Sequence, residues 1–147
     1  MTPQLASTIL RLCGWGFIIF GVLFVTISFP NFDAIGHYIA DLFDWTPGPH
    51  DEVLTRDARW FGAIMAGVCA GLGGIFAFVV APLLTLPNEA ARNLAKRGGL
   101  ISICIWFVID SVGSIAAGVP SNAVLNAIFF LAITVPLLTV KFPVGAD

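Results

Sequence analysis

The sequence predicts an all-α integral membrane protein: an antiparallel bundle of four transmembrane helices, with a short amphipathic helix in the connection between the first two. Three observations carry this. The 147 residues are 58% hydrophobic and only 11% charged, where a soluble domain is about 25% charged, and the mean hydropathy is +0.94. Four apolar stretches are each long enough to cross a hydrocarbon core of about 30 Å, which takes about 20 helical residues. Charge is largely confined to the connections: six of the nine acidic residues lie between Phe29 and Trp60, and Asp110 alone lies inside a stretch. The formal net charge of -2 and the pI near 5.5 argue against a nucleic-acid partner.

The first span covers about Leu12 to Phe29 and stops at Pro30-Asn31. Its apolar run exceeds the roughly 7–15 residues of a signal peptide and no A-x-A-like site follows, so it is expected to be retained. Beyond it, Phe32, Ile35, Ile39, Leu42 and Phe43 recur at helical spacing, while Asp33, His37, Asp41 and Asp44 take another face. This pattern predicts an amphipathic helix over Phe32–Trp45, lying on the membrane surface. Thr46-Pro47-Gly48-Pro49 ends it. His50-Asp51-Glu52 then leads into a helical run toward Trp60, with Asp51 as its N-cap.

The second span covers about Trp60 to Leu86 and stops at Pro87-Asn88. It is longer than the lipid requires, so it tilts or projects beyond it. The connection from Asn88 to Arg97 is expected to form a short surface helix whose basic residues suit an anionic leaflet. The third span is Leu100 to Val119, preceded by Gly98-Gly99. The turn Val119-Pro120-Ser121-Asn122 leads to the fourth, about Ala123 to Val140, with Ser121 and Asn122 as caps. Basic residues orient the bundle. Arg11, Arg92, Lys96, Arg97 and Lys141 lie on one side, and only Arg56 and Arg59 on the other. Both termini are therefore expected in the cytoplasm of a bacterial inner membrane, with the acidic connection from Pro30 to Arg59 outside.

Helices in lipid associate by close packing, so small residues mark contact faces. Span two carries two such rows: Ala63, Gly67 and Gly71, and beside it Gly62, Ala66 and Ala70. Span one offers Gly14, Gly21 and Ser28. Span three aligns Asp110, Ser114 and Gly118, with Ser111 adjacent. Pro82 and Pro136 each remove an intrahelical hydrogen bond and are expected to kink their helices. Cys13, Cys69 and Cys104 fall inside spans with no C-x-x-C pair, and read as small packing residues.

Asp110 is the most informative residue. It lies ten residues into its span, so about 15 Å deep. A carboxyl there needs a partner, a water-filled cavity or a proton. A polar track can be drawn from Arg59 and Asn122, through Asn126 and Ser114, to Asp110. Two readings follow. In one, the track lines a pocket in which Asp110 carries a proton or holds a ligand. In the other, the carboxyl is neutral and hydrogen-bonds a neighbouring group, Asn122 and Ser121 are caps, and Arg59 is an interfacial anchor beside Trp60. His37 with Asp41, and His50 with Asp51 and Glu52, are spaced for a metal, but a solvated acidic face accounts for them. No cofactor is expected, and no G-x-S-x-G, H-E-x-x-H, phosphate-loop or dinucleotide motif occurs.

Three segments carry a resemblance: Arg59-Trp60-Phe61-Gly62 opening a glycine-rich helix, Lys96-Arg97-Gly98-Gly99, and the turn Ala117-Gly118-Val119-Pro120-Ser121. Over Arg59–Val140 the chain resembles small four-helix bacterial membrane proteins loosely similar to the DoxX-like group. The resemblance implies the fold; that group would place a base in span three and an acid in span four, where this chain has Asp110 and Asn126. The function expected first is a non-catalytic accessory or assembly subunit of a larger inner-membrane complex, respiratory or photosynthetic, contacting lipid and other integral subunits. The alternative is a small transporter or ligand-binding bundle that uses the track ending at Asp110.

Overall fold

The computed structural model describes residues 1–45 and 54–142. All regular structure among the described residues is helical. Four helical segments are long and apolar enough to span a membrane, so the chain is an all-α multi-pass membrane protein.

Helix α1 runs Pro3–Phe24 and tightens into a 3-10 stretch, Val25–Ser28. It starts well before Leu12 because Thr2 caps it, accepting a hydrogen bond from the Leu5 N–H, with Pro3 opening the first turn. Helix α2, Asp33–Phe43, is the amphipathic helix read from the sequence. Helix α3, Arg56–Ile75, is capped by Thr55; the cap expected at Asp51, with His50 and Glu52, lies outside the described residues. A π turn, Phe76–Val80, and a single α turn, α4, Ala81–Leu83, complete this span. The wide turn has a cause in Pro82, which lacks an N–H and crowds the carbonyl four residues back. The Ala81 N–H bonds the Phe76 carbonyl instead, and the disruption is absorbed within one turn.

Helix α5 is continuous over Glu89–Ala116 and capped by Asn88. No separate surface helix precedes Gly98-Gly99. Gly99 stays helical because it is packed: a Cβ there would meet Leu137 Cδ1 at 3.2 Å and Val80 Cγ1 at 3.3 Å. Helix α6, Pro120–Thr139, contains Pro136. That proline leaves the Ala132 carbonyl without its helical donor, and the Cys13 thiol of α1 points to this oxygen at 3.9 Å. Cys13 therefore does more than fill space.

The start of the chain and the end of α6 meet at one end of the bundle. The Met1 amino group donates to the Thr139 carbonyl, and the Lys141 N–H donates to the Met1 carbonyl, each at 3.0 Å. At that end Arg92 is buried, with its guanidinium 4.8 Å from the centre of the Phe142 ring. The fully buried core is Leu10, Phe76, Leu84, Ile103, Ile133 and Leu137. Helix α1 packs along α3 and also against α6, which pairs with α5. Helix α5 meets the second span chiefly at the π turn and α4. Toward the opposite end the two diverge, and a space is left.

Only one of the two small-residue rows on α3 makes the internal contact. A Cβ at Gly21 would lie 2.5 Å from the Ala66 carbonyl and 3.0 Å from Ala70 Cβ. One at Gly14 would lie 2.6 Å from the Gly73 carbonyl, and Gly73 faces Gly14 in turn. Gly62 receives Ile27, which also presses on Gly36 of α2. The row Ala63, Gly67, Gly71 does not serve this purpose: Gly67 and Gly71 are exposed, with no atom near a built Cβ. Nor is Gly118 a packing residue. It adopts φ 84° just past the end of α5, a left-handed position that suits glycine at a helix end. Ser28 lies in the 3-10 stretch, its hydroxyl donating to the Arg59 carbonyl at 3.2 Å.

Candidate functional site

Residues on α5 and α6 gather where the second and third spans part. Asp110 and Ser114, four apart on α5, share a face. The Ser114 hydroxyl donates to the Asp110 carbonyl at 2.8 Å and lies 3.4 Å from Asp110 Oδ1. From α6, the Asn122 amide donates to Ser114 Oγ at 2.7 Å and reaches Asp110 Oδ1 at 3.5 Å. Deeper in the α5–α6 interface, the Asn126 amide donates to Ser111 Oγ at 3.4 Å, both residues being buried. Asn122, Ser114 and Asp110 form one chain, and Asn126, which bonds Ser111, also reaches the Asp110 carboxyl and lines the same space.

Two expected roles are corrected. Asn122 does not cap α6; that helix starts at Pro120, and the amide is spent across the helix pair. Ser121 likewise serves tertiary structure: its hydroxyl donates to the Phe43 carbonyl at the end of α2. A Pro at the first position removes one of the donors that a cap would satisfy, leaving both side chains for other partners. Among the described residues, Arg59 bonds away from the track. Its Nε donates to the Leu54 carbonyl at 3.1 Å and its Nη1 to the Ile27 carbonyl at 3.4 Å, which ties the start of α3 to the end of α1.

The polar chain forms one wall of a cavity of about 420 Å³. Helix α1 contributes Phe17, Phe20 and Phe24, with Ile27 beyond it. Helix α3 contributes Met65 and Cys69, and α5 contributes Trp106, Asp110, Ser114 and Ala117. Asn122, Asn126 and Phe129 come from α6, while Ala40 and Phe43 of α2 and the adjoining Asp44 cover one side. Phe17 meets the Trp106 ring edge-on at 5.5 Å and Phe129 at 5.0 Å, and Phe20 meets Phe43 at 5.3 Å. The aromatic wall therefore links α1 to α5, α6 and α2. Ala117, Met65 and Phe129 are themselves exposed, so the cavity opens at the surface of the bundle.

The sequence offered a polar pocket at Asp110, Ser114, Asn122 and Asn126, but not the largely apolar cavity that they border. Its aromatic wall was missed because phenylalanines facing lipid and phenylalanines facing a cavity have the same periodicity. Among the described residues, no three of His, Cys, Asp and Glu converge as metal ligands. His37 and Asp41 lie on α2, and His50 lies outside the described residues.

No protein-family model matches this chain, and neither a curated protein nor a solved structure is significantly similar to it. The resemblance to the DoxX-like group rests on the three segments that suggested it.

Proposed function

We propose that this protein binds, and in a membrane carries or presents, a small amphiphilic molecule held in the cavity between α1, α3, α5 and α6. One observation supports this most: a space of about 420 Å³ whose polar wall is the Asp110–Ser114–Asn122 chain. Ligand pockets typically have volumes of about 300–1,000 Å³, mostly apolar lining and a few placed polar groups. The role is binding rather than catalysis. In the orientation that the basic residues favour, with both termini in the cytoplasm of a bacterial inner membrane, the cavity lies in the outer half of the bilayer. The ligand would then enter from the outer leaflet or the space beyond it.

The test fills the cavity from its least packed side. Ala40 is exposed and lines the space, so Ala40→Trp adds bulk there without entering the α1–α3 core. Full-length protein in zwitterionic nanodiscs is dialysed against two labelled probes, neopentylbenzene and its charged isostere benzyltrimethylammonium. At least one is expected to bind saturably above empty discs, and Ala40→Trp to weaken it about tenfold or more. Binding of neither probe, or binding indifferent to Ala40→Trp, would sink the reading.

A different observation favours a second reading, the accessory subunit of a larger inner-membrane complex, respiratory or photosynthetic. Gly67 and Gly71 lie at spacing four on the outside of α3, beside exposed Ile64, Val68 and Ile75, and none of the described residues packs onto these two glycines. Such a row lets a partner helix approach closely. Mild-detergent purification would then recover stoichiometric membrane partners that Gly67→Leu releases. Recovery of a lone monomer from wild type would remove this second reading.

A further inference from the structure

The ligand class can be narrowed from the charges and rings around the cavity. Its described lining holds two carboxyl side chains, Asp110 and Asp44, and no Lys, Arg or His. The groups that bond the Asp110 side chain are neutral dipoles, the Ser114 hydroxyl and the Asn122 and Asn126 amides. Neutral donors orient a carboxylate but do not cancel its charge, and a charge within a membrane span calls for an opposite one. The rest of the cavity is dominated by aromatic rings, with Phe17, Phe20, Phe43 and Trp106 bordering the same space. Ring faces attract cations, and the attraction grows as water is excluded. An anion would meet the Asp110 carboxyl, and no Lys, Arg or His is among the described lining residues to receive it.

We propose that the ligand is an organic monocation with an apolar body, such as a hydrophobic amine or quaternary ammonium compound. Its charge lies against Asp110, and its body against the aromatic wall. This rests on the cavity reading above. An amine adds N–H donors for the carboxylate, and a quaternary centre uses charge and ring faces alone.

The dialysis with the two isosteres separates this inference from the reading beneath it. The probes share shape and differ in charge, so their ratio in the wild-type protein needs no variant. Benzyltrimethylammonium is expected to bind at least about tenfold tighter than neopentylbenzene, after subtraction of empty zwitterionic discs. Asp110→Asn is expected to remove about tenfold of the cation's affinity and to leave the neutral probe within about twofold. If both probes are blocked by Ala40→Trp but the neutral one binds as tightly, or Asp110→Asn leaves the cation unchanged, the cavity stands and the cationic ligand is overturned. If neither is blocked by Ala40→Trp, or neither binds, both ideas fall. Should Asp110→Asn fail to fold, the wild-type ratio alone decides: a cation preference supports the proposal, and its absence overturns it.

Discussion

Gly73→Leu is expected to prevent the bundle from assembling. Helices α1 and α3 form the most extensive contact in the protein, and they cross closely at Gly14 and Gly73. A Cβ on Gly73 would meet the Gly14 carbonyl, with Phe17 Cβ at 2.8 Å and Ile18 N at 2.9 Å. Two of these three atoms are backbone, so no rotamer change can relieve the overlap. The helices would have to separate, and the dispersion contacts that hold helices together in lipid would be lost along the interface. Overpacking of a close contact costs about 1–3 kcal/mol and sometimes more; with no flexible atom to yield, the loss here should exceed about 3 kcal/mol. Gly67→Leu is the control. Gly67 has nothing near a built Cβ, so stability should stay within about 0.5 kcal/mol of wild type. Denaturation of both variants in mild detergent, followed by circular dichroism and size-exclusion chromatography, checks the pair. Equal stability of Gly73→Leu and wild type would show that α1 and α3 do not cross there.

Asp110→Leu should have the opposite sign. A carboxylate at the centre of a span costs about 2.5–3.5 kcal/mol relative to water and less toward the end, where Asp110 lies six residues before the end of α5, whereas leucine is favourable there. The hydrogen bonds at this site do not all depend on Asp110: Asn122 keeps Ser114 as a partner, and Ser114 keeps the Asp110 backbone carbonyl. Removing a half-buried charge whose neighbours remain satisfied is neutral or stabilising. Asp110→Leu is therefore expected to raise stability by about 1–3 kcal/mol while losing the cationic probe. The same denaturation assay reads the first effect and dialysis the second. A clear loss of stability would favour the reading in which Asp110 serves as a structural hydrogen-bonding group. A gain would identify the residue as one kept for binding at a cost to the fold.

The two small-residue rows of α3 show where sequence reading ran out. Gly62, Ala66 and Ala70 differ from Ala63, Gly67 and Gly71 by one position, and both rows suit a helix contact. The first meets Ile27 and Gly21, and the second faces outward. The choice depends on how α3 is rotated about its own axis, which α1 sets through Gly14 and Gly21. Asn122 gives the same lesson in a polar group. As a helix cap it has a local motif to recommend it, yet its amide goes to Ser114, eight residues back on the neighbouring helix, because α5 and α6 bring the two together. Asp110 and Ser114 were legible as a pair since both lie on one helix, four residues apart.

Length and hydropathy by themselves determined the class, the four spans and the amphipathic α2. Lipid offers no hydrogen bonds, so an apolar stretch of about 20 residues has few conformations open to it. Spacing along single helices likewise placed Asp110 beside Ser114; its mid-span position did not hold, because α5 begins at Glu89 and Asp110 lies six residues before its end. Tertiary structure alone decided which glycines touch, which carbonyl Cys13 reaches, and that α3 and α5 diverge to leave a cavity beside Asp110. These depend on the rotation and register of one helix against another. In lipid those are set by close contacts between side chains from distant parts of the chain, and the periodicity of one helix carries no record of them.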